Sequence, residues 1–240
     1  MRKRSKRRIA GLVVVVILAG LIAASLWYVS DYYHADEEML HYYLAQSNPS
    51  VTSFDHGLFI DGDGTETALI FYPGGKVEYS AYLPLLNRLA SSGVDCFLVR
   101  MPANLAFLDM NRAKKIMDSY SYDHWYLAGH SLGGVAAAFC TSGAEKPADG
   151  LILLASYPVK TLPDMDVLEL YGSNDTVLNR ERLAKGEAYL PPDTVVMEIP
   201  GGNHAQFGNY GVQDGDGEAE ISAQVQQEVT AGMILKMMEK

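Results

Sequence analysis

Gly129-His130-Ser131-Leu132-Gly133 stands between an apolar run, Trp125 to Ala128, and a stretch of small residues, Leu132 to Ser142. The run predicts a buried strand and the stretch a helix. A serine with a glycine two residues to either side, at a strand-to-helix junction, is the pattern of a nucleophile elbow. The turn explains the glycines. It holds the serine at positive φ and brings the strand and helix backbones so close that side chains at 129 and 133 would collide. Ser131 is therefore the candidate nucleophile. The alternative is a surface turn, because without such flanks the pattern recurs by chance.

Outward from the elbow, short apolar runs alternate with helical stretches. Strands are expected near Leu58–Ile60 and over Ala68–Tyr72, Cys96–Arg100, Trp125–Ala128, Leu151–Ala155, Val167–Tyr171 and Val195–Ile199. Helices are expected over Ser80–Leu89 with Ser80 as a possible N-cap, over Leu105–Tyr120, over Leu132–Ser142 and near Ala219–Met238. The last helix has apolar positions at Ile221, Val225, Val229, Met233, Ile234 and Met237. Alternating strands and helices make an α/β protein with a doubly wound, mostly parallel sheet. Its ligand crevice lies at the carboxyl ends of the strands, where Ser131 emerges.

A serine hydroxyl is a poor nucleophile at neutral pH and needs a base, which in turn needs an orienting group. Of six histidines, His34 and His41 precede the sheet region, His56 precedes the first expected strand and His124 opens the strand before the elbow. His130 adjoins the serine, but its side chain should point away from it, in a supporting or packing role. His204, in Gly201-Gly202-Asn203-His204 after the last strand, is the candidate base. The candidate orienting acid is Asp175, in Gly172-Ser173-Asn174-Asp175 after the preceding strand. A capped turn is the other reading of those residues. Asp164, Asp166 and Asp193 precede strands and fall at the wrong end of the sheet. For the oxyanion, one expected donor is the Leu132 N–H, next to the serine at a helix start. The other comes from Pro73-Gly74-Gly75-Lys76: the Gly75 N–H first, with the Lys76 N–H as the close alternative.

The ends of the chain differ in charge. Residues 1–8 hold six of the 19 basic residues and no acid, leaving 13 basic against 29 acidic residues in the rest. So acidic a body is a poor partner for nucleic acid. Ile9 to Val29 is uncharged for 21 residues, long enough to cross a bilayer. Trp27, Tyr28, Tyr32 and Tyr33 fall where an interfacial aromatic belt belongs. The expected organisation is a basic cytoplasmic tail (1–8), a signal anchor (9–29), a linker (30–52) and a catalytic domain (53–240) outside the cell membrane. A cleaved signal peptide ending near Ala23-Ala24-Ser25 is the alternative. Cys96 and Cys140 read as buried thiols. No metal or organic cofactor is implied. Asp214-Gly215-Asp216 lacks the spacing of an EF-hand loop. The segment 207–216 reads equally as a wall of the acyl pocket or as a plain connection.

Tyr72-Pro73-Gly74-Gly75, the elbow, Gly172-Ser173-Asn174-Asp175 and Gly201-Gly202-Asn203-His204 together resemble the α/β-hydrolase superfamily, over roughly Leu58 to Met238. More narrowly, residues 72–77 (Tyr-Pro-Gly-Gly-Lys-Val) and 201–208 (Gly-Gly-Asn-His-Ala-Gln-Phe-Gly) look like those of a group of compact bacterial α/β-hydrolases. The resemblance implies a serine hydrolase of carboxylic esters, with thioesters or amides as related substrates. Two departures stand out. The oxyanion loop lacks the His-Gly-Gly-Gly signature of many lipases and esterases. Only about ten residues separate the strands near Ala155 and Met165, too few for the helical cap many α/β-hydrolases insert there. An open cleft suits a small or surface-presented acyl substrate. The rival readings are an acyltransferase using the same three residues, and a non-catalytic module on the same fold.

Overall fold

The computed structural model describes residues 2–143 and 148–239, the side chains of residues 2–10 excepted. The chain divides into two units, with the break after Tyr32. The first is one helix, α1 (Arg2–Ser30). Its stretch Gly11–Ser30 has a mean hydropathy of 2.6 and is long and apolar enough to cross a membrane.

The second unit holds eight strands: β1 (Ser50–Phe54), β2 (Gly57–Asp61), β3 (Thr67–Tyr72), β4 (Asp95–Val99), β5 (His124–His130), β6 (Gly150–Leu154), β7 (Asp166–Gly172) and β8 (Val195–Ile199). Its helices are α2 (Glu37–Leu44), α3 (Leu83–Ala90), α4 (Arg112–Ser119), α5 (Leu132–Ser142), α6 (Arg180–Gly186) and α7 (Ala223–Met238). The strands form one sheet in the order β1-β2-β4-β3-β5-β6-β7-β8. From β4 onward every neighbouring pair is parallel; β1 and β2 are antiparallel to their neighbours. The doubly wound expectation holds, with an antiparallel edge added.

The strand order reverses at β3. The chain leaves β3 for β4 on one side, then returns to β5 on the other, in the register Tyr72↔Gly129. That switch point opens a crevice at the carboxyl ends of β3 and β5. The Pro73–Lys76 loop and the elbow therefore emerge side by side.

Alternation along the strands separates two cores. Leu69, Phe71, Leu98, Ile152, Leu154 and Leu168 face α3 and α7. Ile70, Tyr72, Val99, Leu127, Leu151 and Leu153 face α4 and α5, where Ala136 and Ala137 let α5 pack closely. Cys96 and Cys140 are buried free thiols.

Four local expectations need correction. The span read as a linker contains α2, capped by Asp36 on the Met39 N–H at 2.7 Å, and β1, which pairs with β2 from Ser50. Ser80 caps no helix; it is buried in a 3-10 turn, Tyr79–Tyr82, that leads into α3. The helix expected over 105–120 is only α4, preceded by two short turns. Ala103 and Asn104 are left-handed there, at φ 52° and 54°. The buried Tyr72 hydroxyl accounts for the break: it donates to Met110 O at 2.9 Å and accepts the Ala113 N–H at α4's first turn. On α7, Val225 and Val229 are exposed, whereas Gln226, Gln227 and Thr230 are buried. The site explains that inversion.

Segment 155–165, between β6 and β7, has neither helix nor strand, so no cap is inserted there.

Candidate active site

Ser131 sits at φ 52°, ψ −122°, between β5 and α5, and is half-buried. A non-glycine residue there is strained and persists only when its surroundings over-determine it. The surroundings do so. A Cβ on Gly133 would lie 2.2 Å from Tyr72 O, and one on Gly129 2.5 Å from Gly133 C. The Ser131 N–H donates to Leu154 O at 2.9 Å, continuing the ladder to β6. Ser156 Oγ donates to Ser131 O at 2.8 Å.

The loop after β3 runs beside the elbow. A Cβ on Gly75 would meet Leu132 Cδ2 at 2.8 Å and Leu132 Cβ at 3.3 Å, so the loop lies directly against the residue that follows the serine. Its neighbours' N–H groups are committed: Gly74 to Tyr82 Oη at 3.0 Å, Lys76 to Asn104 O at 2.8 Å, Val77 to Gly74 O at 3.3 Å. The left-handed turn at Ala103–Asn104 delivers that Asn104 carbonyl and removes Lys76 N–H as an oxyanion donor. Gly75 N–H has no partner among the described residues. Leu132 N–H lies in the first turn of α5, where no intrahelical acceptor exists.

His204 and Asp175 are buried together, with His204 Nδ1 2.8 Å from Asp175 Oδ2. The other carboxylate oxygen accepts the Val177 and Leu178 N–H groups at 3.0 and 2.8 Å. Asp175 thus has three donors, which fix its plane and leave Oδ2 for the imidazole. Among the described residues no hydrogen bond joins Ser131 Oγ to His204. Contacts of this kind commonly tighten when substrate binds. What brings His204 to the elbow is His130, whose ring centroid lies 4.5 Å from that of His204. The His130 ring is buried in a cluster with Tyr82 and Phe207 as well as His204.

Several residues that hold the His204 loop are absent from the sequence-based reading. Gln226 of α7 accepts the Asn203 N–H at 3.0 Å and donates to Asn203 O at 2.8 Å, gripping both backbone polar groups of that residue. Gln227 donates to Gln206 O and to Asn209 Oδ1. Asp216 accepts the Ala205 N–H at 2.9 Å with one oxygen, and with the other the Gly217 N–H and, at 3.4 Å, the Thr176 N–H. It thereby ties the His204 loop to the Asp175 loop. The segment 207–216 is therefore neither loose nor only a pocket wall: it braces the site. The adjacent glutamines, four residues before Thr230 and Ala231, were the available signal, but polar side chains do not announce burial.

Residues 33–36 meet the same loops. Tyr33 N–H donates to Lys76 O and Glu78 N–H to Tyr33 O, both at 2.8 Å, and Asp36 N–H donates to Asn209 O at 2.9 Å. Asp214 N–H donates to the Tyr33 hydroxyl at 3.0 Å. Among the described residues no group of three or more His, Cys, Asp or Glu is arranged to hold a metal ion.

With this geometry in view, the comparisons agree on a family. Residues 68–228 match the model of the alpha/beta hydrolase family, and the chain belongs to that family. No curated protein matches the chain. Among solved structures it is similar to MGS-MChE2, an alpha/beta hydrolase enzyme from the metagenome of sediments of the Mar Chica lagoon in Morocco. They share 14% identity at a TM-score of 0.59, over 78% of this chain and 98% of that one. It is similar to Est1E from Butyrivibrio proteoclasticus, solved with ferulic acid bound, at 14% identity and a TM-score of 0.54, over 73% and 91%. It is also similar to the esterase PE8, at 12% identity and a TM-score of 0.55, over 78% and 99%. At such identities the likeness is one of fold.

Proposed function

We propose that the protein is a serine hydrolase that cleaves carboxylic esters, thioesters and amides being chemically related substrates. Ser131 Oγ attacks the acyl carbon while His204 Nε2 takes its proton. Asp175, held by the Val177 and Leu178 N–H groups, accepts a hydrogen bond from Nδ1–H and stabilises the imidazolium. The Leu132 and Gly75 N–H groups donate to the oxyanion. The tetrahedral intermediate collapses, the carbon–oxygen bond to the alcohol breaks, and His204 returns the proton to the leaving oxygen. Water then attacks the acyl-enzyme with His204 again as base, and Ser131 leaves with the proton.

The observation that supports this most is the buried His204–Asp175 pair, 2.8 Å apart, with the His204 ring packed on that of His130, the residue next to a serine at positive φ. The uncapped segment 155–165 favours a small or surface-presented acyl group. In the same reading α1 anchors the protein in the cell membrane, amino end cytoplasmic and the catalytic domain outside. Protease added to intact cells should then degrade the domain, and full protection would reverse that topology.

Ser131→Ala tests the chemistry. In the full-length chain in detergent it should lose fluorophosphonate labelling and lower short-chain p-nitrophenyl ester turnover by at least about 10⁴-fold. Undiminished labelling of the variant would sink the assignment.

A further inference from the structure

His130 and Tyr82 are buried polar side chains beside the site that the proposed reaction does not use. The Tyr82 hydroxyl accepts the Gly74 N–H at 3.0 Å and lies 2.8 Å from His130 Nδ1. Burial holds this phenol well above the ordinary tyrosine range, so it keeps its proton. One lone pair is engaged by Gly74, and the acceptor left for the hydroxyl proton among the described residues is His130 Nδ1. That assigns the neutral imidazole with its proton on Nε2. Nε2 is buried and has no hydrogen-bond partner within ordinary distance limits among the described residues. Burial holds His130 well below the ordinary histidine range; the nearby His204 pushes the same way, and the His204 backbone opposes in part.

The ring is packed at 5.6 Å from Tyr82, 5.6 Å from Phe207 and 4.5 Å from His204, centroid to centroid. One hydroxyl therefore reaches two parts of the machinery. Through Gly74 it holds the peptide next to Gly75. Through His130 it holds the surface on which His204 rests. We propose that Tyr82 and His130 are positioning residues that set the oxyanion loop and the catalytic histidine against each other, an inference that rests on the proposed triad. An uncharged His130 also leaves the imidazolium that forms on His204 unopposed by a like charge.

The test uses the full-length chain in detergent. Active sites are counted by fluorophosphonate titration, and kcat and KM are measured on a short-chain p-nitrophenyl ester. Tyr82→Phe keeps the ring and removes the hydroxyl. His130→Phe keeps a ring against His204 and removes the acceptor. Each should lower kcat per titrated site by about tenfold, with KM within about threefold, because misplacement of catalytic groups is felt in the chemical step. The double variant should also lose about tenfold rather than a hundredfold, since both changes break one bond. His130→Gln, whose amide oxygen can accept the hydroxyl, should recover most of the loss. A purely structural role lowers Tm and leaves kcat per titrated site within about twofold, and that result overturns the inference, as does a multiplicative loss in the double variant. If Tyr82→Phe does not fold, the contrast between His130→Phe and His130→Gln decides: equal kcat overturns the inference. Ser131→Ala separates the two claims. If that variant still labels, the triad and this inference fall together; if it is inert while Tyr82→Phe is unimpaired, only this inference falls.

Discussion

At Ser131 the backbone is held by crowding among near neighbours, whereas at His204 it is held by Asp216 and Gln226, 11 and 23 residues along the chain from the groups they bind. Both loops deliver one side chain to the same crevice. The elbow does so with glycines, strain and the close approach of β3. The histidine loop does so with buried amides and a carboxylate. Crowding tolerates no added atom. A hydrogen-bonded brace loses stability by increments, as its members are removed. The two loops should therefore fail differently, and the variants below probe that difference.

The largest effect belongs to the elbow. Gly133→Ala places a methyl 2.2 Å from Tyr72 O and 2.4 Å from Pro73 O, both backbone atoms that cannot rotate aside. The variant should lose more than about 4 kcal/mol, enough to prevent recovery of folded protein. Gly143→Ala, at the carboxyl end of α5, meets nothing within 4 Å among the described residues and has an ordinary negative φ of −115°. It should be neutral or stabilising by under about 1 kcal/mol. Urea unfolding of the full-length chain in detergent measures both. Similar stabilities for the two variants would remove crowding as the elbow's determinant.

Next comes the strand that carries one of the loops. β7 leads into Asp175, a buried carboxylate with three donors, but three residues before its end lies Glu169, also buried, whose Oε2 has no partner among the described residues. Burial, with a smaller contribution from Glu187, pushes Glu169 up from about 4.5 to about 7. The folded chain keeps this proton up to about pH 7, while the unfolded chain releases it near 4.5. Stability therefore falls as pH rises through that window and is level above it. A shift of this size corresponds to about 3 kcal/mol. The stability difference between parent and Glu169→Gln should change by about that much between pH 4.5 and 7.5, in favour of Gln at the higher pH. Parallel curves for the two proteins would show that burial leaves the titration of Glu169 unchanged by folding.

The brace itself is tested through α7. Gln226→Leu fits a buried position but leaves the Asn203 N–H and C=O without their partner, which should cost about 2 kcal/mol. It should also lower kcat several-fold, because Asn203 precedes the base. Val229→Gln, on the exposed side of the same helix, should stay within about 0.5 kcal/mol. The reverse ranking would mean that the apolar face read from the sequence is the one that packs.

These differences also mark what could be read in the chain beforehand. β3 to β7 announce themselves as apolar runs because both faces of a central parallel strand are buried. The elbow is legible because its signature of a serine between two glycines fits within five residues, although the strand that crowds Gly133 lies some 60 residues away, and His204 and Asp175 because each follows a strand end. β1 is not legible: Ser50-Val51-Thr52-Ser53-Phe54 is an edge strand with two exposed positions and no apolar run. The break before α4 depends on the hydroxyl of Tyr72, some 40 residues away. On α7, Ile234 and Met237 are buried as their apolar character implies, but Val225 and Val229 are exposed while Gln226 and Gln227 are buried by hydrogen bonding to the histidine loop, a reason that a hydropathy pattern cannot carry.

The smallest expected effect sharpens the comparison most. Asp216 is half-buried and binds Ala205 and Gly217 N–H groups at 2.9 Å, with a longer contact to Thr176 N–H at 3.4 Å. Its side chain touches both the Asp175 loop and the His204 loop. Partial exposure lets water replace some of what Asp216→Ala removes, so the stability loss should be about 1 kcal/mol. Its catalytic loss should be larger than that figure suggests, because the two loops set the angle of the imidazole in concert: kcat should fall about fivefold while KM holds. Asp216→Asn keeps an acceptor oxygen toward Ala205 and should recover part of the rate. If Asp216→Ala instead leaves kcat and stability at parental values, the histidine loop is held by its own backbone, and the contrast with the elbow is one of degree.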